Sequence, residues 1–590
     1  MYKMEIWFFI IITFCISAFL KSVFNYFFNS KKHRLPPGPV NIPIISTILW
    51  LRRQSILELE TFVLSLHKKL GPVITFQLGS RTTIFIADRF LAHQALVQNG
   101  AVFADRPQAT ATNNITSSNQ HVISAAFYGP TWRLLRRNLT SEILHPSRVK
   151  SYSHARKWVL ETLVNCLESE SKSGEPVSVM GSFQYAMFSL LVLMCFGDKL
   201  DRTQIEEIKR VERSTLVNAR RFIKLNFMPK LTKILFRKLW SEFLQLRKEQ
   251  EEVLIPLIRA RKKVKDDRKI KNSDDKHVLC YVDTLFDLEL TEENQRKLTE
   301  NEIISLCNEF LTAGTDTTST ALQWIMANLV KYQEIQDNLY SEIKEVVGDG
   351  EKEIKEEDLQ KMSYLKSVIL EGLRRHPPVH FVLTHAVTED VVLDKYLVPK
   401  NVNVNFMVGD MGLDPKVWED PMAFKPERFV GRDNDGDVFD ITGSREIKMM
   451  PFGVGRRMCP GFGLAMLHLE YFVANLVWKF EWKRVDGDDV DLSEKSEFTI
   501  VMKNPLKAHI STRKQGITVV MRNVLQAHMS ASLNRDFEPF SLVKYFNFTC
   551  QPVSIWYMFL QAQKRLNPLK GYVVLLIFFY LFSLFLKFVI

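Results

Sequence analysis

A single cysteine, Cys459, stands in the run Phe452-Gly-Val-Gly-Arg-Arg-Met-Cys-Pro-Gly461, just ahead of an apolar stretch of helical pattern. A thiol acts as nucleophile or metal ligand only as the thiolate, and glycines let backbone N–H groups come close enough to a sulfur to support that charge. Gly455 and Gly461 supply that closeness, and Arg457 offers a cation able to meet a carboxylate of a prosthetic group. A buried structural cysteine is the ordinary reading of a lone thiol. Five spaced positions, Phe452, Gly455, Arg457, Cys459 and Gly461, nevertheless fit the pattern FxxGxRxCxG, which chance produces in a chain of this length roughly once in several thousand. The chemistry implied is haem iron held by the Cys459 thiolate.

These residues resemble the haem-binding signature of the cytochrome P450 superfamily, and further stretches extend the resemblance. Glu371-Gly-Leu-Arg374 matches the family's ExxR, and Pro426-Glu-Arg-Phe429 its PERF segment. Alone, Glu371 and Arg374 are an i,i+3 helix pair of the kind found on solvated faces. The resemblance implies that Glu371, Arg374 and Arg428 form a buried network locking the core. Trp132-Arg-Leu-Leu-Arg136 matches WxxxR, where Trp132 and Arg136 reach a haem propionate. His385 stands where the family has another propionate partner, against the alternative of a surface histidine, and follows Thr384 in place of the usual Pro. Leu413 occupies a place where related sequences usually carry Arg.

Ala313-Gly-Thr-Asp-Thr-Thr318 lies in an apolar pattern that predicts a helix from about Ile303 to Val330. Glycine in mid-helix costs about 1 kcal/mol against alanine, and hydroxyl side chains there divert backbone hydrogen bonds, so the cluster needs a reason. A Thr-rich kink in the core is one. The resemblance gives another: room for dioxygen, with Asp316 and Thr317 as the acid and alcohol that relay protons for O–O cleavage. Phrases such as His380-Phe-Val-Leu383, His385-Ala-Val-Thr-Glu-Asp390, Val404-Asn-Phe-Met-Val408 and His468-Leu-Glu-Tyr-Phe-Val-Ala-Asn475 are similar to the plant microsomal group, family eighty-nine, subfamily A.

The resemblance spans about Trp7 to Arg513 and implies a mainly α fold with a smaller β-rich part: one large helical haem domain behind an N-terminal membrane anchor. The expected divisions are an anchor over 1–30, a basic and proline-rich hinge over 31–45, the haem domain over 46–513, and an unassigned extension over 514–590 with an apolar segment at 571–590. Ile6 to Leu20 is almost wholly apolar, lacks a small-residue cleavage site and is followed by Lys31-Lys-His-Arg34, which reads as a span rather than a signal peptide, with its charged flank in the cytosol. The extension is read as appended by read-through or mis-splicing and, if genuine, as a tail anchor. Seven scattered cysteines suit a reducing compartment, leaving the sequons at Asn114 and Asn138 unused.

A net charge of +12 comes with no nucleic-acid motif, so membrane lipid and an acidic protein partner are the expected recipients of that charge. Arg133, Arg136, Arg137, Arg445 and Lys448 are candidates for a basic face, whereas Arg259 to Lys271 reads as a solvated loop between helices. The chain contains no flavin-binding region. The resemblance therefore implies haem (heme b) as cofactor and electrons from NADPH through a separate NADPH–cytochrome P450 reductase at the endoplasmic reticulum membrane, with the catalytic domain in the cytosol. It also implies O2 as co-substrate and pocket walls from about Thr110 to Phe127, Phe310 to Thr317 and Val379 to Thr384. Phe127, Phe310, Phe381 and Val382 in those walls suit a hydrophobic small molecule. The expected activity is monooxygenation. A haem isomerase or dehydratase of rearranging peroxides is disfavoured by the Asp316-Thr317 pair, and a decayed or non-catalytic membrane protein by intact Cys459, Glu371, Arg374 and Arg428.

Overall fold

A computed structural model describes residues 35–39, 56–78, 81–226, 228–271, 278–348, 351–430, 439–487 and 489–513, together with Thr13 and Ser17. The chain divides into two units, Met1–Lys514 and Gln515–Ile590. The second unit, with its apolar segment, and the N-terminal apolar run apart from Thr13 and Ser17 lie outside the described residues. No helix among the described residues is long and apolar enough to cross a membrane.

Among the helices are α1 (Ile56–Leu70), α2 (Pro130–Asn138), α3 (Ser153–Ser171), α4 (Met180–Phe196), α5 (Arg202–Phe222), α6 (Arg237–Lys271), α7 (Glu300–Lys331), α8 (Ser363–Arg375) and α9 (Phe462–Lys479). Helix α4 is apolar on every side and is buried nearly all round, as such a pattern requires. It packs beside α7, which is set off by a reciprocal cap: the Thr299 hydroxyl accepts the Glu302 N–H at 3.3 Å, and the Glu302 carboxylate accepts the Thr299 N–H at 2.7 Å. Gly314 makes the approach close, since a Cβ there would lie 2.7 Å from Leu191 of α4.

A four-stranded sheet runs in the order β1 (Val73–Leu78), β2 (Arg81–Ile86), β5 (Asn403–Phe406), β4 (His385–Ala386), with only the β2–β5 pair parallel. The open side of β1 is met by Leu35–Pro39: the Thr75 N–H donates to the Pro37 carbonyl at 2.8 Å, and Gly38 passes so near that a Cβ would meet the Thr75 carbonyl at 2.0 Å. A second sheet joins β3 (Val177–Ser178) to β9 (Lys507–Thr512) and β6 (Phe480–Lys483). The hairpin β7 (Glu494–Ser496) and β8 (Ile500–Met502) docks on α7, where Trp324 Nε1 donates to the Ile500 carbonyl at 2.8 Å.

One expectation fails. Residues 259–271 are not a loop but the last turns of α6. Arg261 there is buried in an ion pair with Asp283 at 2.6 Å, and Arg259 forks onto Glu300 at 2.8 and 2.9 Å. Paired charges and continuous helix-forming side chains outweigh the like-charge repulsion of the run.

Glu371 and Arg374 project from α8 into the core, both fully buried. Arg374 forks onto the Glu371 carboxylate at 2.6 and 2.7 Å and donates to the carbonyls of Gly412, Pro421 and Ala423 at 2.8, 2.9 and 3.2 Å. Glu371 also accepts the Lys425 N–H at 2.8 Å and Arg428 Nε at 3.3 Å. Deleting one partner of a buried pair costs about 3–5 kcal/mol, a large share of the roughly 5–15 kcal/mol that stabilises a domain. Arg374→Ala should therefore yield little folded protein, measured as soluble yield and denaturant midpoint. The double variant Glu371→Leu/Arg374→Met should recover part of the loss but not all, because the three carbonyls stay unpaired.

Candidate active site

The loop before α9 is shaped by tight backbone approaches. Gly455 has φ +77°, and a Cβ there would stand 2.1 Å from the Leu96 carbonyl; Gly453 has φ +68°. At Gly461 a Cβ would meet only Cys459 Sγ, at 4.0 Å, so the small side chain expected to matter there is not demanded by space. Gly461 acts instead through its backbone N–H, which donates to Cys459 and lowers its pKa. Burial is the larger influence and holds the thiol above its ordinary value, with Arg136 opposing it. Cys459 keeps part of its surface accessible even so. Phe452 frames the loop: its carbonyl accepts the Cys459 N–H at 2.8 Å and its ring lies edge-on to Phe462 at 6.3 Å.

Three guanidiniums act on one another here, and one of them, Arg136, acts on the thiol. Arg457 Nε, Nη1 and Nη2 donate to the carbonyls of Ala104, Ile123 and Ala126 at 2.6, 3.2 and 2.7 Å, and its cation lies 4.5 Å from the Trp132 ring. Arg136, one turn after Trp132 on α2, lies 5.9 Å from the same ring. Burial, reinforced by Arg106 and Arg136, pulls Arg457 down to about 9; burial alone pulls Arg106 down to about 10 against Glu309 and Asp105. Trp132 Nε1 is buried with no hydrogen-bond partner among the described residues. His385, expected near this group, is buried rather than on the surface; its Nδ1 donates to the Phe103 carbonyl at 2.6 Å. Burial and the Arg106 charge hold it neutral, with a pKa of about 3.

Depressed arginines, an indole N–H unpartnered among the described residues and a soft sulfur form a donor set suited to a planar group carrying carboxylates and a metal that prefers sulfur. The residues present therefore fit haem. Cys459 would hold iron, and Arg136, Trp132 and the spare N–H groups of Arg457 would meet the propionates. His385, as the neutral Nδ1–H tautomer, offers only a lone pair at Nε2 and would have to gain a proton to join them.

On α7, Asp316 and Thr317 are neighbours in sequence but the structure does not bring their side chains together. Asp316 accepts from Gln184 Nε2 at 3.2 Å and pairs with Arg213 at 3.0 Å, and burial keeps its pKa raised despite Arg213. Thr317 bonds back along the helix to the Ala313 carbonyl at 2.6 Å. Ala313 is exposed although it lies within a helix that is otherwise mostly buried. Of the expected pocket walls, Phe310 packs tilted against Tyr281 at 5.0 Å and Phe381 edge-to-face against Phe85 at 5.9 Å, as packing residues do, whereas Phe127 is exposed. Sequence reasoning missed Arg106, Arg213 and Glu309, whose partners are distant in the chain and carry no local pattern.

The loop analysis separates two glycines. Gly455→Ala forces both a left-handed alanine, costing about 1–2 kcal/mol, and a backbone clash, so its haem content per protein should fall sharply. Gly461→Ala should keep most of it. Pyridine haemochrome assay on both purified variants checks the contrast.

Comparison with known proteins agrees with this geometry. The family model described as Cytochrome P450 matches residues 36–511. Cytochrome P450 89A9 of Arabidopsis thaliana is 52% identical over 518 residues, covering 86% of this chain and 99% of its own. Geraniol 8-hydroxylase of Catharanthus roseus is 30% identical, covering 85% and 99%, and isoflavone 2'-hydroxylase of Medicago truncatula 29%, covering 85% and 97%. A solved zebrafish cytochrome P450 structure with abiraterone shares the fold at TM-score 0.63 and 20% identity, covering 76% of this chain and 98% of that one. A match across this much of the chain places it in the cytochrome P450 family, as a monooxygenase of the haem–thiolate kind with a plant relative in subfamily 89A.

Proposed function

We propose that the chain binds haem b through Cys459 and inserts one atom of O2 into a hydrophobic small molecule, taking electrons from NADPH through a separate reductase. The observation that carries the site assignment is Cys459 in its glycine loop, its N–H on the Phe452 carbonyl and the Gly461 N–H and Arg136 cation acting on its sulfur. Haem bound by a thiolate supplies dioxygen activation, delivering one oxygen atom to substrate and the other to water. The side chains do the rest. Arg136, Trp132 and Arg457 would hold the carboxylates and so the tilt of the ring. Thr317, on the turn of α7 after the exposed Ala313, would hand on a proton from its hydroxyl. Asp316 would replenish that proton after leaving Arg213, its raised pKa favouring proton carriage.

An apolar substrate is supported by relatives named for geraniol and an isoflavone, and by Phe127 and Val382 near the expected walls. Exposed Arg133 and Arg137 on α2 suit docking of an acidic flavoprotein. The apolar run Ile6 to Leu20 and the basic residues after it support anchoring at the endoplasmic reticulum, with the domain facing the cytosol. The buried Glu371–Arg374–Arg428 network favours a working enzyme over a decayed copy.

The first test is the carbon-monoxide difference spectrum of the dithionite-reduced protein. A strongly red-shifted Soret band is expected in the full chain and after truncation beyond Arg513, and should vanish in Cys459→Ala. Its absence from both parent forms would overturn the reading. Thr317→Ala should keep that band while product per NADPH falls by about tenfold or more, a part of the roughly 10²–10⁴ that positioned proton transfer contributes, and peroxide rises in step. Unchanged coupling would sink the proposed relay.

A further inference from the structure

Glu309 lies one turn before the exposed Ala313 on α7, and its carboxylate is spent on another part of the chain. Oε2 accepts the Ile123 N–H at 2.8 Å and Oε1 the Ser124 N–H at 2.7 Å. Two consecutive backbone N–H groups are thus held by the two oxygens of one anion, an arrangement neither a neutral nor a shorter side chain reproduces. Glu309 keeps some surface, and burial raises its pKa against these bonds and the nearby Arg106.

The carbonyls of the same stretch are taken by two more charged side chains. Arg106 accepts nothing and gives everything: Nε donates to the Ser124 carbonyl at 2.7 Å, and Nη1 to the carbonyls of Leu383 and Thr384 at 2.7 and 2.9 Å. Arg457 donates to the carbonyls of Ile123 and Ala126. Residues 123–126 are thereby gripped through the main chain by α7, by the Arg106 segment and by the cysteine loop, while the side chains of Ile123 and Ala126 pack in the main core.

The backbone that leads into this stretch is left-handed. Immediately before it, Ser118, Asn119 and Gln120 carry φ of 46°, 58° and 66° in succession. Each such non-glycine residue costs of order 1–3 kcal/mol and persists only where its surroundings over-determine it. Part of that restraint is visible: Gln120 Oε1 accepts the Ala109 N–H at 2.9 Å, Gln120 Nε2 donates to the Ala125 carbonyl at 2.7 Å, and Ser118 Oγ meets Ser305 Oγ of α7 at 2.8 Å.

We propose that Glu309 is a positioning residue that fixes residues 122–126 as a rigid wall over the Ala313 face of α7, and so decides which ligands fit beside the reacting atoms. It does this without touching them. The inference rests on the reading of that face as the reaction side, and the experiment separates the two.

Full-length parent, Glu309→Gln and Glu309→Asp are compared by amide hydrogen exchange and by binding of imidazole and 4-phenylimidazole, the first probing access to haem iron and the second the wall as well. The Gln amide group must turn an N–H toward one of the two backbone donors. Exchange at 122–126 should then rise by roughly ten- to a hundredfold, the equivalent of one lost charge-assisted bond, with 4-phenylimidazole binding weakened and imidazole binding unchanged. Glu309→Asp, which keeps the charge, should restore protection in part. Unchanged exchange and unchanged affinities overturn the proposal. Loss of protection throughout the domain in both variants also overturns it, assigning Glu309 to general stability. Absence of the carbon-monoxide band from the parent would instead fell the haem reading while the exchange result still reports on the clamp.

Discussion

Taking a carboxylate and a guanidinium out of water together, at Glu371 and Arg374, is the constraint from which the active site hangs. Neither charge survives burial alone, and once paired they still have lone pairs and N–H groups to satisfy. Those are met by the backbone of 412–428, which must fold back over α8 to supply them. Trp418 in that stretch lies 5.3 Å from the Arg374 cation and donates from Nε1 to the Lys448 carbonyl at 3.3 Å. Its ring packs in one buried cluster with Phe429 and Met449, the last of these ten residues before Cys459. The thiol's place is thus fixed from the ExxR pair outward, through an indole, into the loop.

The chain treats charge in the opposite way around Trp132. There Arg106, Arg136 and Arg457 crowd together with Asp105 as the carboxylate that offsets Arg457, and burial lowers all three. Such a cluster is a poor resting state and a good receptor. A ligand bearing two carboxylates relieves it, so binding and folding are linked: whatever binds the native chain and not the unfolded one stabilises it in proportion to the logarithm of its concentration over its dissociation constant.

What could be read from the sequence was what repeats at short spacing. Cys459 with its glycines, Glu371 with Arg374, and the helix around Asp316 are local patterns, and local patterns are what backbone geometry imposes on sequence. The helical nature of 259–271 was hidden because a run of like charges gives no sign of its partners: Asp283 and Glu300 arrive only when the chain has folded. For the same reason His385 was legible as a candidate but not as a neutral, buried group, since its state is set by burial and then by Arg106, far upstream. Glu309 looks like any polar residue on a helix until the Ile123 and Ser124 amides are placed against it. The separation of Asp316 from Thr317 follows from helix geometry, about 100° between successive residues, but which neighbour would claim the acid was not deducible.

The fastening of Pro37 to Thr75 makes the domain's first described segment part of a lever. Five residues of the expected proline-rich hinge lie against the edge of a sheet whose far strand carries His385 and Ala386. A pull or tilt arriving through Leu35 would not be absorbed as slack; it would be passed across β1, β2 and β5 as torque. In mechanical language, the approach to the domain and one rim of its active site are the two ends of a single four-strand plank.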